Sequence, residues 1–85
     1  MSTTYERVVD VLHEYTGGQL EKEYITLDFS IANILEASEV RELMMSLEEE
    51  FGIGIPVEDH DKLRTVGDIV KYVDESIITI VLPAN

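Results

Sequence analysis

A row of acidic side chains is the feature of this sequence with the clearest chemical meaning. Glu39 and Glu42 are three residues apart and share one side of a predicted helix, as do Glu42 and Glu49 two turns apart. Such a ridge of like charge lowers the stability of the helix, and a basic protein partner would relieve the repulsion. We interpret the ridge as a docking face. The competing interpretation is a solvated surface, which is the usual fate of a charge run.

The residues that could do catalysis or bind metal are sparse. The run Glu58-Asp59-His60-Asp61 lacks the alternating order of a calcium loop, so no specific metal site is predicted. His13 and His60 have no serine or cysteine partner at a recognisable spacing, and both are interpreted as surface residues. Because the sequence shows no nucleophile–base set and no paired carboxylates in an apolar setting, it predicts no enzymatic activity of its own.

The overall charge points to protein partners. The chain has 85 residues, with 18 acids against 6 bases and a net charge of -12. This balance repels nucleic acid and anionic membranes and attracts basic protein patches. The chain contains no cysteine and no apolar run of about 20 residues, so disulfides, thiolate metal sites and membrane insertion are not expected. We expect a monomeric, cytoplasmic protein with one domain over residues 1–85.

Helical periodicity predicts four segments, of which the first is followed by a long connection. The first helix opens at Ser2 or Thr3, with Glu6 placed for a capping box, and it stops at Gly17-Gly18. Residues 19–37 hold many scattered apolar side chains. Such a connection is predicted to be an ordered loop packed on the helices, because a free linker would not carry so many anchors.

The remaining helices carry apolar stripes that predict a common core. The second runs from about Ser38 to Phe51, a short third is possible over residues 57–63, and the fourth begins after Thr65 with Asp68 in capping position. The apolar tail over residues 77–85 either continues the last helix or lies extended. The sequence therefore predicts an all-α fold, a small four-helix bundle of three main helices and one short helix, with a long ordered loop between the first and second helices.

The chain resembles the acyl carrier protein family over roughly residues 25–73. The resemblance rests on residues 47–56, which read LEEEFGIGIP, on the acids at 58–59, and on residues 65–68, which read TVGD. It implies a carrier whose serine, at the start of the second helix, bears a covalent 4'-phosphopantetheine arm with acyl groups held as thioesters. It also implies partners with basic faces, namely phosphopantetheinyl transferase and acyl-transfer, condensing and modifying enzymes. The implied docking residues are Glu36, Glu39, Glu42, Glu48 and Glu49.

The chain departs from the family at the attachment motif, which is normally Asp-Ser-Leu. Counting back from Phe51 without gaps, Glu36 takes the aspartate position, Ala37 the serine position and Ser38 the leucine position. In that frame Arg41 would take a core valine position, and Val40 recovers the contact only if the helix start slips by one residue.

Two functions remain open from the sequence. If Ser38 carries the arm, the protein is an acyl carrier for fatty-acid, polyketide or specialised lipid synthesis. If Ser38 only caps the helix and Ala37 fills the serine position, the protein is an arm-free module for protein interaction or regulation.

Overall fold

Three α-helices and three short 3₁₀ helices make up the part of the fold that the structure describes. This computed structural model describes the backbone of residues 3–81 and the side chains of residues 3–77. The α-helices are α1 (Thr4–Tyr15), α2 (Ala37–Phe51) and α3 (Val66–Val81), and the 3₁₀ helices are Lys22–Tyr24, Ile31–Asn33 and Val57–Lys62. The predicted all-α four-helix bundle is confirmed, with the 3₁₀ helix Val57–Lys62 as its short member.

The core lies where the apolar stripes of α1, α2 and α3 meet. None of the three helices would hold its shape alone at these lengths, so packing of these stripes stabilises them. Each fully buried aliphatic side chain contributes about 1.5–3 kcal/mol. The predicted stripes are confirmed by the side chains that are completely buried: Val8, Leu12, Leu43, Met44, Leu47, Val66, Ile69 and Val73. Val11 is also buried, although it lies off the predicted stripe.

Local capping signals set the helix ends. The Thr3 hydroxyl accepts the backbone N–H of Glu6 at 3.1 Å, and the Glu6 carboxylate accepts the backbone N–H of Thr3 at 2.9 Å. This is the predicted capping box. The alternative cap, Ser2, lies outside the described residues. At the C-terminal end of α2, Gly52 has a φ of 66° and donates its N–H to the carbonyl of Glu48 at 2.8 Å.

The loop between α1 and α2 is ordered, as predicted, because its backbone pairs with the segment that precedes α3. Ser30 and Thr65 form an antiparallel bridge. Next to it, the N–H of Ile31 donates to the carbonyl of Arg64 at 2.9 Å, and the N–H of Gly67 donates to the carbonyl of Leu27 at 2.8 Å. Ile25 and Ile31 are completely buried, whereas two other predicted anchors, Leu27 and Ile34, are 52% and 47% exposed.

The last helix, α3, continues into the apolar tail of the chain. α3 begins after Thr65, whose hydroxyl accepts the N–H of Asp68 at 3.1 Å, and this cap was predicted. Of the two alternatives for the tail, the helix continues, because α3 extends to Val81. The rest of this tail, residues 82–85, lies outside the described residues. Within the described residues, no helix has the length and apolar character needed to cross a membrane.

Candidate functional site: the start of α2 and the groove beside it

The start of α2 presents Ser38 to solvent. α2 begins at Ala37, one residue earlier than predicted, and the residue in the cap position is Glu36. The backbone N–H of Glu36 donates to the carboxylate of Glu39 at 2.9 Å. Ser38 is therefore the second residue inside the helix, and the interpretation of Ser38 as a cap is wrong. Its side chain is exposed.

The register of α2 is continuous from its first residue. Val40 is half-buried and packs against the core, while Arg41 is exposed. The expectation that Arg41 takes a core position is wrong. Val40 makes the core contact instead, because it lies on the same stripe as Leu43, Met44 and Leu47.

A groove of about 570 Å³ runs beside the N-terminal half of α2. It is bounded by α2, by the 3₁₀ helix Ile31–Asn33 and by the segment from Val57 to Arg64. Ala37 lines the groove, whereas Ser38 does not. The apolar wall of the groove consists of Ile31, Leu35, Val40, Val57 and Leu63.

Charged side chains from two parts of the chain, α2 and the segment from Val57 to Arg64, line this groove. Arg41 and Arg64 are both exposed, and Asp61 is the one acid in the lining. His60 is half-buried, and its Nε2 lies 3.2 Å from the carbonyl oxygen of Ile55. His13 is also half-buried, with Nδ1 2.8 Å from the carbonyl oxygen of Leu20. Both histidines are therefore only partly exposed, and each has a ring nitrogen close to a backbone carbonyl.

The five glutamates of the proposed docking face differ in their surroundings. Glu36, Glu42 and Glu49 are exposed, whereas Glu39 and Glu48 are half-buried. The last two accept backbone N–H groups, since Glu39 binds the amide of Glu36 and Glu48 binds the amide of Ile55 at 2.7 Å. The exposed three therefore present more of their side-chain surface to a partner than Glu39 and Glu48 do.

One of those glutamates, Glu42, also forms a hydrogen bond with a side chain of α1. The hydroxyl of Tyr15 donates to the carboxylate of Glu42 at 2.9 Å. Burial and this hydrogen bond, together with the negative charges of Glu42 and Glu39, raise the pKa of Tyr15 to about 12. This contact could not be predicted from the sequence, because the two residues are far apart in the chain.

One residue of the acidic run at residues 58–61, Asp59, forms hydrogen bonds within the fold. Asp59 is half-buried and accepts the hydroxyl of Tyr72 at 2.8 Å and the ammonium of Lys62 at 3.5 Å. Burial and the bond to Asp59 raise the pKa of Tyr72 to about 12. Among the described residues, no three histidine or carboxylate side chains are grouped as they would be to hold a metal ion.

Comparison with known families identifies the segment that contains this site. Residues 38–73 match a family model described as the phosphopantetheine attachment site. This match is consistent with a member of the acyl carrier protein family. Carrier domains of this kind are non-catalytic, attach 4'-phosphopantetheine covalently to a serine, and interact with phosphopantetheinyl transferase and other enzymes.

The chemistry of the site fits such a group at one position. The matched segment contains two serines, Ser38 and Ser46. Ser46 is half-buried in the middle of α2, whereas Ser38 is exposed in the first turn. The positive end of the helix dipole favours an anionic phosphodiester at Ser38.

Proposed function

We propose that the protein is an acyl carrier whose phosphopantetheine arm is attached to the hydroxyl of Ser38. The observation that carries this proposal is that Ser38 is the exposed serine of the matched segment and lies in the first turn of α2. Ala37, in the position where the family pattern has its serine, has no hydroxyl to modify.

The protein and the arm would have separate roles in carrying an acyl group. The arm supplies the thiol that holds an acyl group as a thioester. Ser38 provides the point of attachment, and the N-terminus of α2 stabilises the phosphodiester. The exposed carboxylates of Glu36, Glu42 and Glu49, with Glu39 and Glu48 behind them, would orient the basic faces of partner enzymes. Fatty-acid, polyketide and specialised lipid synthesis are the pathways that use such a carrier.

Modification by a phosphopantetheinyl transferase tests the proposal. The full chain, incubated with a transferase of broad specificity and coenzyme A, is expected to gain the mass of one phosphopantetheine group. The variant Ser38→Ala is expected to gain none, and Ser46→Ala, the matched control on the same helix, is expected to gain the full mass. Modification of Ser38→Ala would show that the attachment residue is wrong, and an unmodified wild-type chain would remove the arm altogether.

The position of Ala37 favours a second candidate function. Ala37 is the first residue of α2 and lines the groove, so the part of the fold that faces the groove carries a methyl group instead of a hydroxyl. An arm-free protein would keep the acidic face and act as a protein-interaction or regulatory module. The mass measurement separates the two candidates, because only the carrier accepts the arm.

A further inference from the structure

Unpaired positive charge collects at the groove beside α2, although the protein has a net charge of -12. Three of the six basic side chains are ion-paired with carboxylates at 3.0, 2.8 and 3.5 Å: Arg7, Lys22 and Lys62. Arg41 and Arg64 make no side-chain hydrogen bond or ion pair with any residue that the structure describes, and both line the groove. With 18 acids in the chain, two unpaired guanidinium groups at one groove suggest that their partner is a ligand.

The walls of the groove suit an aliphatic chain. Ile31 and Leu63 are buried and form its floor, with Leu35 and Val40 half-buried beside them. Val57 stands at the rim with 61% of its surface exposed. The volume of about 570 Å³ lies in the range of sites that bind small molecules.

The charges around the groove favour a single negative charge. Two guanidinium groups face one carboxylate, Asp61, so the lining has a formal charge of +1 when His60 is neutral. A planar guanidinium group can donate two parallel hydrogen bonds to a carboxylate. Its geometry therefore matches a carboxylate better than that of a compact ammonium group does. A ligand with two negative charges would be less favoured, because Asp61 would repel the second.

We propose that this groove binds small aliphatic carboxylates without covalent attachment. The chain of the ligand lies against Ile31, Val40 and Leu63, and its carboxylate is held by Arg41 and Arg64. The proposal does not rest on the arm, because Ser38 does not line the groove. The two proposals therefore succeed or fail separately.

A pair of probes with equal chains and opposite charges tests the inference. Octanoate and octylammonium, each below its micellar concentration, are added to the full-length ¹⁵N-labelled protein, and amide shifts are followed by NMR. Octanoate is expected to give saturable shifts at Ile31, Val40 and Leu63. Octylammonium is expected to bind there at least about fivefold more weakly, even though the net charge of the protein favours a cation.

Substitutions identify the groups that hold the carboxylate. Arg41→Gln and Arg64→Gln are each expected to weaken octanoate binding about fivefold, the size of effect typical of an exposed charge pair. The matched control is Lys71→Gln, which removes an exposed lysine of α3 that does not line the groove, and it is expected to leave the affinity unchanged. Ser38→Ala is also expected to bind octanoate like the wild type. Thermal unfolding of each variant checks that it is folded.

Four results would overturn the inference. If octanoate and octylammonium bind the groove equally well, the groove is an apolar contact surface for the arm or for a partner protein. If the shifts occur away from the groove, or if octanoate does not bind at all, the arginines are solvated surface charges. If both arginine variants retain full affinity for octanoate, the carboxylate is held elsewhere.

Discussion

Single side chains couple the helices of this protein through phenol–carboxylate hydrogen bonds. Tyr15 of α1 donates to Glu42 of α2, and Tyr72 of α3 donates to Asp59. In each case a partly buried hydroxyl faces a negative charge, so the protonated phenol is favoured and its pKa rises from 10.0 to about 12. These bonds hold only while the tyrosines are protonated.

This coupling predicts a loss of stability at high pH. The folded state retains protons at Tyr15 and Tyr72 that the unfolded chain releases near pH 10, so the free energy of unfolding falls as the pH rises from about 10 to 12. Below pH 10 the contribution is fully present. Urea unfolding of the double variant Tyr15→Phe/Tyr72→Phe is expected to show a shallower decline over this interval. Tyr24→Phe is the control, because Tyr24 is 65% exposed.

The opposite result would be a double variant that loses stability as steeply as the wild type and the control. In that case the alkaline decline would come from groups other than these two tyrosines.

At the residue scale, sequence reasoning succeeded where the partners are neighbours in the chain. The capping pairs Thr3–Glu6 and Thr65–Asp68 follow from spacing alone, and the structure contains both. The bond between Tyr15 and Glu42, by contrast, depends on how α1 packs on α2. The convergence of Arg41 and Arg64 on one groove likewise could not be inferred before the fold was known.

At the scale of elements, the C-terminus of α2 depends on a glycine in the left-handed conformation. Gly52 has a φ of 66°, and its N–H closes the last turn on Glu48. Gly52→Ala is expected to lower the free energy of unfolding by about 1 kcal/mol, because a Cβ is unfavourable at this φ. Gly54→Ala is the matched control, since Gly54 does not have a positive φ and an added Cβ would meet nothing within 4 Å.

Urea denaturation of the two variants measures the difference. Gly54→Ala is expected to match or slightly exceed the wild type, because alanine restricts the unfolded chain. Equal stability of both variants would show that the left-handed cap contributes nothing measurable.

Element types were predicted better than element boundaries. The apolar stripes are periodic over many residues, so the existence of α1, α2 and α3 was clear. The start of α2 was placed one residue late because Ser38 is a good capping residue by type, whereas the cap is Glu36 with Glu39 as its partner. The pairing of the long loop with the residues before α3 was missed, since an isolated bridge leaves no periodic signal.

At the scale of the whole molecule, the excess of negative charge is the property that partners would sense first. A net charge of -12 on 85 residues produces a field that attracts basic surfaces before contact. Within that field, the exposed carboxylates of Glu36 and Glu42 lie within four residues of Ser38 along the chain, and under the proposed function they would orient a partner enzyme there.

If Ser38 carries the arm as proposed, salt should slow its modification. We expect kcat/KM of a phosphopantetheinyl transferase for this protein to fall as sodium chloride is added, because the salt screens exposed charges. The variant Glu42→Gln/Glu49→Gln is expected to lower kcat/KM about fivefold at low salt and to flatten its salt dependence. An amide at position 42 can still accept the hydroxyl of Tyr15, so the fold is preserved.

The control for this variant removes the same number of charges elsewhere. Glu21 and Glu23 are exposed residues of the loop, and Glu21→Gln/Glu23→Gln is expected to change kcat/KM much less. If the two double variants behaved alike, the net charge alone would govern the encounter, and α2 would have no special role in docking.

The contribution of α1 to the core has a consequence for how the molecule can be divided. Val8 and Leu12 of α1 are completely buried against the other helices, yet both lie before residues 38–73, the segment that matches the carrier family. An excised fragment of residues 38–73 would expose the apolar faces of α2 and α3 that these side chains cover. We therefore expect that residues 38–73 would not fold alone, because α1, which the family match does not include, covers part of their apolar surface.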